Sequence, residues 1–227
     1  MKAKVLYDGS FSGFLSAVYE VFSRGYKEVA IVSPRHYEPD IFSEVIQVHT
    51  QPLHAKKVWE SLRLKTSAET REIIYFAFLS ELKGSEDMIL NFIMAVYCNE
   101  SVLQEAESYL GRLRHASNMV KREADRLAED FRFKILESGL YSGVVDSRFN
   151  ILPLLTEYLR EKHADHNWLL FDKRRKYSLC FESDSGKIQR YTGEPEYSSL
   201  FVLGDKGPLA GEPGLIYHSR RHSSLSA

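Results

Sequence analysis

The sequence predicts an α+β protein: a short α/β start, a helical middle, and a closing sheet of β-hairpin, helix and β-hairpin. Three observations carry this. Short apolar runs alternate with a helix-period stripe over the first 65 residues. Apolar residues then recur at steps of three and four as far as Asp130, and beyond it the period falls to two. The expected organisation is one α+β domain over 1–192, in parts at 1–65, 66–130 and 131–192, with a loop-rich, partly disordered tail at 193–227.

Residues 3–7 form a short buried strand that stops at Asp8-Gly9-Ser10. Phe11, Phe14, Leu15, Val18, Tyr19 and Phe22 then fall on one helical stripe, which Arg24-Gly25 ends. EVAIVS (28–33) and EVIQVHT (44–50) read as strands about a loop holding Pro34 and Pro39, and Pro52 opens a helix to about Lys65. Ser67 precedes a helix carrying Ile73, Ile74, Phe76, Phe78 and Leu79; Gly84-Ser85 breaks it, and another helix runs from Ser85 to about Cys98. The longest helix bears Leu103, Ala106, Leu110, Leu113, Val120, Ala124 and Leu127, with Ser117 at the position that interrupts the seam. Such a seam packs into a bundle or pairs with a partner. FRFKILE and LYSGVVD (131–146) make a hairpin about Ser138-Gly139, a helix follows over 150–163, and residues 167–182 make a second hairpin turning at Lys173-Arg174-Arg175. SGKIQRYT (185–192) adds an edge strand.

At 227 residues, 44% hydrophobic and 27% charged, the chain can bury a sizeable core. A formal net charge of −1 excludes a polycation, so any nucleic-acid contact must come from a local patch. Cys98 and Cys180 stand far apart, which excludes a zinc ribbon, a disulfide framework and an iron–sulfur site of the chain's own. The eight histidines are scattered, so no metal and no cofactor is expected. MKAKVLYDGS lacks a signal-peptide core and MILNFIMAVYC (88–98) is too short to span a bilayer, so the expectation is a cytoplasmic protein without membrane contact.

Three features carry candidate chemistry. GSFSG (9–13) has Phe11 where a nucleophile elbow needs serine, so Ser10 reads as a helix cap, with Gly9 supplying unusual backbone angles and Gly13 close packing. Asp8 nevertheless ends a strand beside a helix N-terminus, a common ligand position in α/β sheets. Basic residues cluster on the long helix and just after it, with Arg122, Arg126 and Arg132 among them, and again at Lys173-Arg174-Arg175-Lys176 beside Tyr177. Guanidinium groups near aromatic rings suit phosphate contact with base stacking. The competing reading is a solvated helix face balanced by Glu123, Asp125, Glu129 and Asp130, and an ordinary hairpin tip.

Three segments together, YDGSFSGFLSAVYEVF (7–22), VKREADRLAEDFRF (120–133) and LYSGVV to KYSLCFE (140–182), resemble a family of bacterial proteins assigned to DNA metabolism or repair, also described as a domain of unknown function. Members are typically encoded beside a radical SAM protein assigned to DNA modification or repair, and related domains are fused to uracil-DNA glycosylases. The resemblance spans roughly 3–192, and its matching positions are Asp8, Gly9, Ser10, Gly13, Glu123, Arg126, Arg132, Phe133, Trp168, Asp172 and Arg175. Where the family often has His-Phe in its ILPLL helix this chain has Tyr158-Leu159, and Lys162 replaces an expected Arg.

The resemblance implies a DNA-repair accessory that binds nucleic acid and works with a radical SAM partner. In that role Arg122, Arg126, Arg132, Lys173, Arg174 and Arg175 hold phosphates, while Trp168 or Tyr177 supports or stacks on a base. Trp168 also suits plain core packing, since it lies in an apolar strand. Two other classes remain open. One is an enzyme acting on a damaged base or nucleotide with Asp8 and Glu123 as acid and base; the other is a structural subunit docking through the 103–127 seam.

Overall fold

The computed structural model describes residues 2–26, 28–41, 43–97 and 103–193, so Cys98 and the expected tail beyond Gly193 lie outside the described residues. The fold is α+β, with strands in two sheets. Packing divides the described residues into two compact units, one up to Arg122 and one from Glu123 to Gly193. The expected middle part, 66–130, is therefore split between them, because the long helix begins in one unit and ends in the other.

In the first unit, β1 (Lys2–Leu6) lies between β2 (Val29–Val32) and β3 (Ser43–Gln47), all parallel. Parallel neighbours need a crossover, and α1 (Phe11–Arg24) supplies the one between β1 and β2. Ser10 caps α1 by accepting from the Gly13 amide, and Gly25 ends it in the left-handed region at φ +66°. The apolar stripe buries Phe11, Phe14, Leu15 and Val18, but it fades before Phe22, which is 43% exposed and meets Tyr97. Around Phe11 the rings of Tyr75, Phe78 and Trp59 sit 5.0, 5.1 and 5.5 Å away, an aromatic node joining α1 to α2 (Pro52–Lys65) and α3 (Ala68–Leu79). α4 (Ser85–Tyr97) closes the outer edge of β2, where the Ile31 amide donates to Asp87 Oδ1 at 3.2 Å. The Tyr7 hydroxyl donates to Glu86 at 3.2 Å, and burial pushes its pKa well above the ordinary phenol range.

α5 (Leu103–Asp130) buries Ala106, Leu113, Ala116, Ser117, Val120 and Ala124, so the seam packs within the protein. His115, Asn118, Arg122 and Arg126 are exposed, as their places on the helical wheel require.

The second unit carries a five-stranded sheet in sequence order: β4 (Lys134–Ile135), β5 (Tyr141–Val145), β6 (Trp168–Asp172), β7 (Tyr177–Glu182) and β8 (Lys187–Thr192). All neighbours are antiparallel except β5 and β6, which run parallel and are joined through α6 (Leu152–Lys162). One face carries Trp168, Leu170 and Asp172 opposite Phe181, Leu179 and Tyr177. α6 borders this face: Asn150 before it accepts from Tyr177, and the His163 ring at its end lies 6.3 Å from Tyr141, beside Trp168 in the register. The other face gathers Leu140, Leu169 and Phe171 against Leu136 and Tyr191. The Phe131 ring packs directly over Gly143 on β5, where a Cβ would stand 2.2 Å from it and would have to displace the ring. Among the described residues no helix is long and apolar enough to cross a membrane.

Candidate functional site

Two polar corners hold the residues singled out by sequence, one in each unit. In the first, Asp8 follows the carboxyl end of β1. Its Oδ1 accepts from the Ser10 amide at 2.9 Å and the Ser10 hydroxyl at 2.7 Å, and its Oδ2 accepts from Thr50 Oγ1 at 2.6 Å. The carboxylate thereby ties the end of β1 to the start of α1 and to the segment after β3. Gly9 takes φ +84°, a backbone state natural to glycine. A Cβ at Gly13 would lie 2.1 Å from Asp8 Oδ1 and 2.8 Å from Thr50 Oγ1, so the corner closes over a residue without a side chain.

The second corner lies at the carboxyl ends of the parallel pair β5 and β6. Asp172 is fully buried, and its Oδ1 accepts from the amides of Arg174 and Arg175 at 2.9 and 2.8 Å, which shapes the turn into β7. Its Oδ2 meets Arg175 Nη1 at 3.1 Å, and that guanidinium also donates to the carbonyls of Ser147 at 3.3 Å and Arg148 at 2.9 Å. A buried charge is tolerated when it is paired and hydrogen-bonded, as it is here. Glu123 braces the same loop from α5, accepting from the Ser147 hydroxyl and, at 3.1 Å, from the Arg148 amide. The Tyr177 hydroxyl donates to Asn150 at 2.7 Å. Loop 146–150, turn 173–176 and α5 at Glu123 are thus fastened into one piece.

That piece turns cations to solvent. Arg148, Lys173, Arg174 and Lys176 are all exposed. Arg148 rests over the Phe149 ring at 5.4 Å and Lys176 over Phe171 at 5.6 Å. Arg174 Nε pairs with Asp146 at 2.6 Å and Lys173 stands 3.9 Å from the same carboxylate; the Arg174 hydrogen bond is the main reason the Asp146 pKa lies below the ordinary carboxylate range. Exposed Arg126 lies about one turn beyond Glu123 on α5.

Of the other nominated residues, most are engaged within the fold. Trp168 is fully buried and stacked on Phe181 at 5.0 Å, which leaves no open ring face for a base. Tyr177 is 4% exposed, lies under the Arg190 guanidinium at 4.3 Å, and supports the corner from beneath. The Arg175 side chain is 9% exposed and engaged by Asp172 and two carbonyls, so it positions the corner and is not free to clasp a phosphate. Arg132 turns back to the carbonyls of Glu129 and Phe131 at the end of α5. Arg122 is exposed but belongs to the first unit. Asp8 stands in the first unit, where it fastens the start of α1 to the segment after β3, and Glu123 in the second, where it fastens α5 to loop 146–150. Sequence reasoning missed Asp146, Ser147 and Arg148, whose signal is their place just after β5, where a β-α-β crossover opens its ligand-facing loop. Among the described residues no three His, Cys, Asp or Glu side chains group as metal ligands.

The chain belongs to a family described as a domain of unknown function, DUF4130, whose model matches residues 83–206, just over half of the sequence. No curated protein matches the chain.

Proposed function

Starting from a family whose description assigns no activity, we propose that this protein is a nucleic-acid-binding accessory in DNA repair or DNA metabolism that works with a radical SAM partner. The observation that carries the reading is the fastened corner of the second unit, with Arg148, Lys173, Arg174 and Lys176 exposed around it and Arg126 one helical turn from Glu123. Buried Asp172 and Arg175 fix the loops, so the cations are displayed from a rigid support and lose less freedom on binding a phosphate chain. Contacts of this kind position a backbone without reading its sequence, which suits an accessory more than a sequence reader.

The resemblance of the three segments supplies the DNA context and the radical SAM neighbour. Radical chemistry would rest with that neighbour. An iron–sulfur cluster takes closely spaced thiolates, whereas this chain has Cys98 and, deep in β7, Cys180. The reading with Asp8 and Glu123 as acid and base has less support, because both carboxylates already accept hydrogen bonds from neighbouring groups that build the fold.

Titrating the full-length chain with labelled single-stranded and duplex DNA at several salt concentrations tests the proposal. Affinity is expected to fall steeply with salt. Replacing Arg148, Lys173, Arg174 and Lys176 together by Ala should weaken binding and flatten the duplex slope by about 0.9 for each phosphate that is no longer neutralised. Binding that ignores salt, or a variant with unchanged affinity and slope, removes the phosphate role of this corner. Co-purification with the radical SAM protein encoded alongside checks the partner, and failure to form a complex with or without DNA removes it.

A further inference from the structure

The first unit ends its sheet on an open strand. In the order β2-β1-β3, the outer edge of β2 meets Asp87 of α4, whereas among the described residues no strand pairs with the outer side of β3. The strand reads Ser43-Glu44-Val45-Ile46-Gln47 and contains neither the lysine nor the proline with which proteins commonly blunt an edge. Val45 is 43% exposed, and Ile41, just ahead of the strand, is 87% exposed. An exposed edge of this composition is a template for another strand.

Hydrogen-bond parity says which residues face outward. The Val48 amide donates to the Leu6 carbonyl at 2.8 Å, so even-numbered residues direct their backbone groups toward β1. Ser43, Val45 and Gln47 consequently direct theirs away from it. The Ser43 amide is already taken by Asp40 Oδ1 at 2.8 Å, which leaves Val45 and Gln47 with donors facing outward.

We propose that β3 pairs antiparallel with β3 of a second copy of this chain, about a two-fold axis through Val45, joining two three-stranded sheets into one of six strands. In this register Val45 exchanges both backbone bonds with its counterpart, and each Gln47 amide donates to the opposite Ser43 carbonyl. The side-chain pairs are Val45 with Val45, Glu44 with Ile46 and Ser43 with Gln47, so no like charges oppose. Moving the centre to residue 44 sets Glu44 against Glu44 and shortens the ladder. Charge and hydrogen bonding therefore select one register, and it is self-complementary as a two-fold contact requires. Five-residue strands make a small interface, so the dimer forms in a concentration-dependent equilibrium.

Sedimentation of the full-length chain at concentrations up to about 500 μM should show a dimer fraction that rises with concentration. Val45→Lys sets two ammonium groups against each other at the axis and should weaken association by about tenfold or more while leaving the circular dichroism unchanged. A second variant gives an independent reading. Directly opposed, hydrogen-bonded residues have Cα atoms about 5.5 Å apart, within disulfide reach, so Val45→Cys should oxidise to a covalent dimer far faster than Leu64→Cys on the exposed side of α2. The proposal is overturned by a monomer at every concentration, by undiminished association in Val45→Lys, or by equal cross-linking of the two cysteine variants.

Discussion

Gly13 shows how much one absent methyl group can decide. Its missing Cβ leaves room for the Asp8 carboxylate, which links β1, α1 and Thr50, and a Cβ would come within 2.1 Å of that carboxylate oxygen. Gly13→Ala must therefore displace Asp8 or shift the first turn of α1. An alanine in a helix is otherwise favourable by about 1 kcal/mol, whereas overpacking costs about 1–3 kcal/mol, so a net loss of stability is expected. In Asp8→Ala the nearer obstacle is gone and Thr50 Oγ1, 2.8 Å from the added Cβ, has lost the carboxylate that holds it, so the same glycine change should cost clearly less than in the native protein. Urea midpoints of the two single variants and the double variant check this, and additive effects would show that the Asp8 carboxylate is not what constrains Gly13. The helix cap by Ser10 and the close approach at Gly13 were legible in GSFSG, because capping and glycine packing act over a few residues. The fates of Arg175 and Tyr177 were not. Each is decided by a partner near residue 147 or 150, 27 or 28 positions away, and nothing local to the KRRKY run separates a buried guanidinium from an exposed one.

At the scale of elements, β7 makes a prediction through its thiol. Cys180 lies between Leu179 and Phe181 and is 2% exposed, and burial, reinforced by Glu182, pushes its pKa up to about 12. In the unfolded chain the thiol titrates near about 8.5. Between those values the unfolded state releases a proton that the folded state keeps. The contribution to stability is thus complete below about pH 8.5 and declines as pH rises, by at most about 1.4 kcal/mol per pH unit. Melting curves from about pH 8 to pH 10.5 should show the native protein losing more stability than Cys180→Ala, whereas parallel curves would mean the thiol ionises freely in the folded state. Burial of this strand was legible for the same reason Trp168 suits the core: an apolar run in a two-residue period belongs inside a sheet. The parallel pairing of β5 with β6 follows from the intervening α6, since a strand that returns through a helix re-enters in the same direction. The open edge of β3 was hidden, because strand order depends on which neighbour β1 accepts on each side and no pattern within 43–47 records it.

On the scale of the whole molecule, a net charge of −1 means that the proposed nucleic-acid contact requires a local field, and Arg148, Lys173, Arg174 and Lys176, around Asp172 and Arg175, are the exposed cations it would draw on. The same salt bridge tests how the two units share stability. From sequence the long helix, with Ser117 interrupting its seam, falls within one domain over 1–192, whereas packing places its two ends in separate compact units, Met1–Arg122 and, among the described residues, 123–193. Each unit contains one of the two tryptophans, Trp59 in the first and Trp168 in the second. Asp172→Ala strands a buried Arg175 charge and should cost about 3–5 kcal/mol within the second unit. Introduced into Trp59→Phe, where Trp168 reports, it should lower the urea midpoint strongly. Introduced into Trp168→Phe, where Trp59 reports, it should leave the midpoint nearly unchanged, because the aromatic node around Phe11 contains none of the residues it disturbs. If both tryptophans report the same loss, the two units unfold as one cooperative block, and α5 transmits stability along its length as well as joining them in sequence.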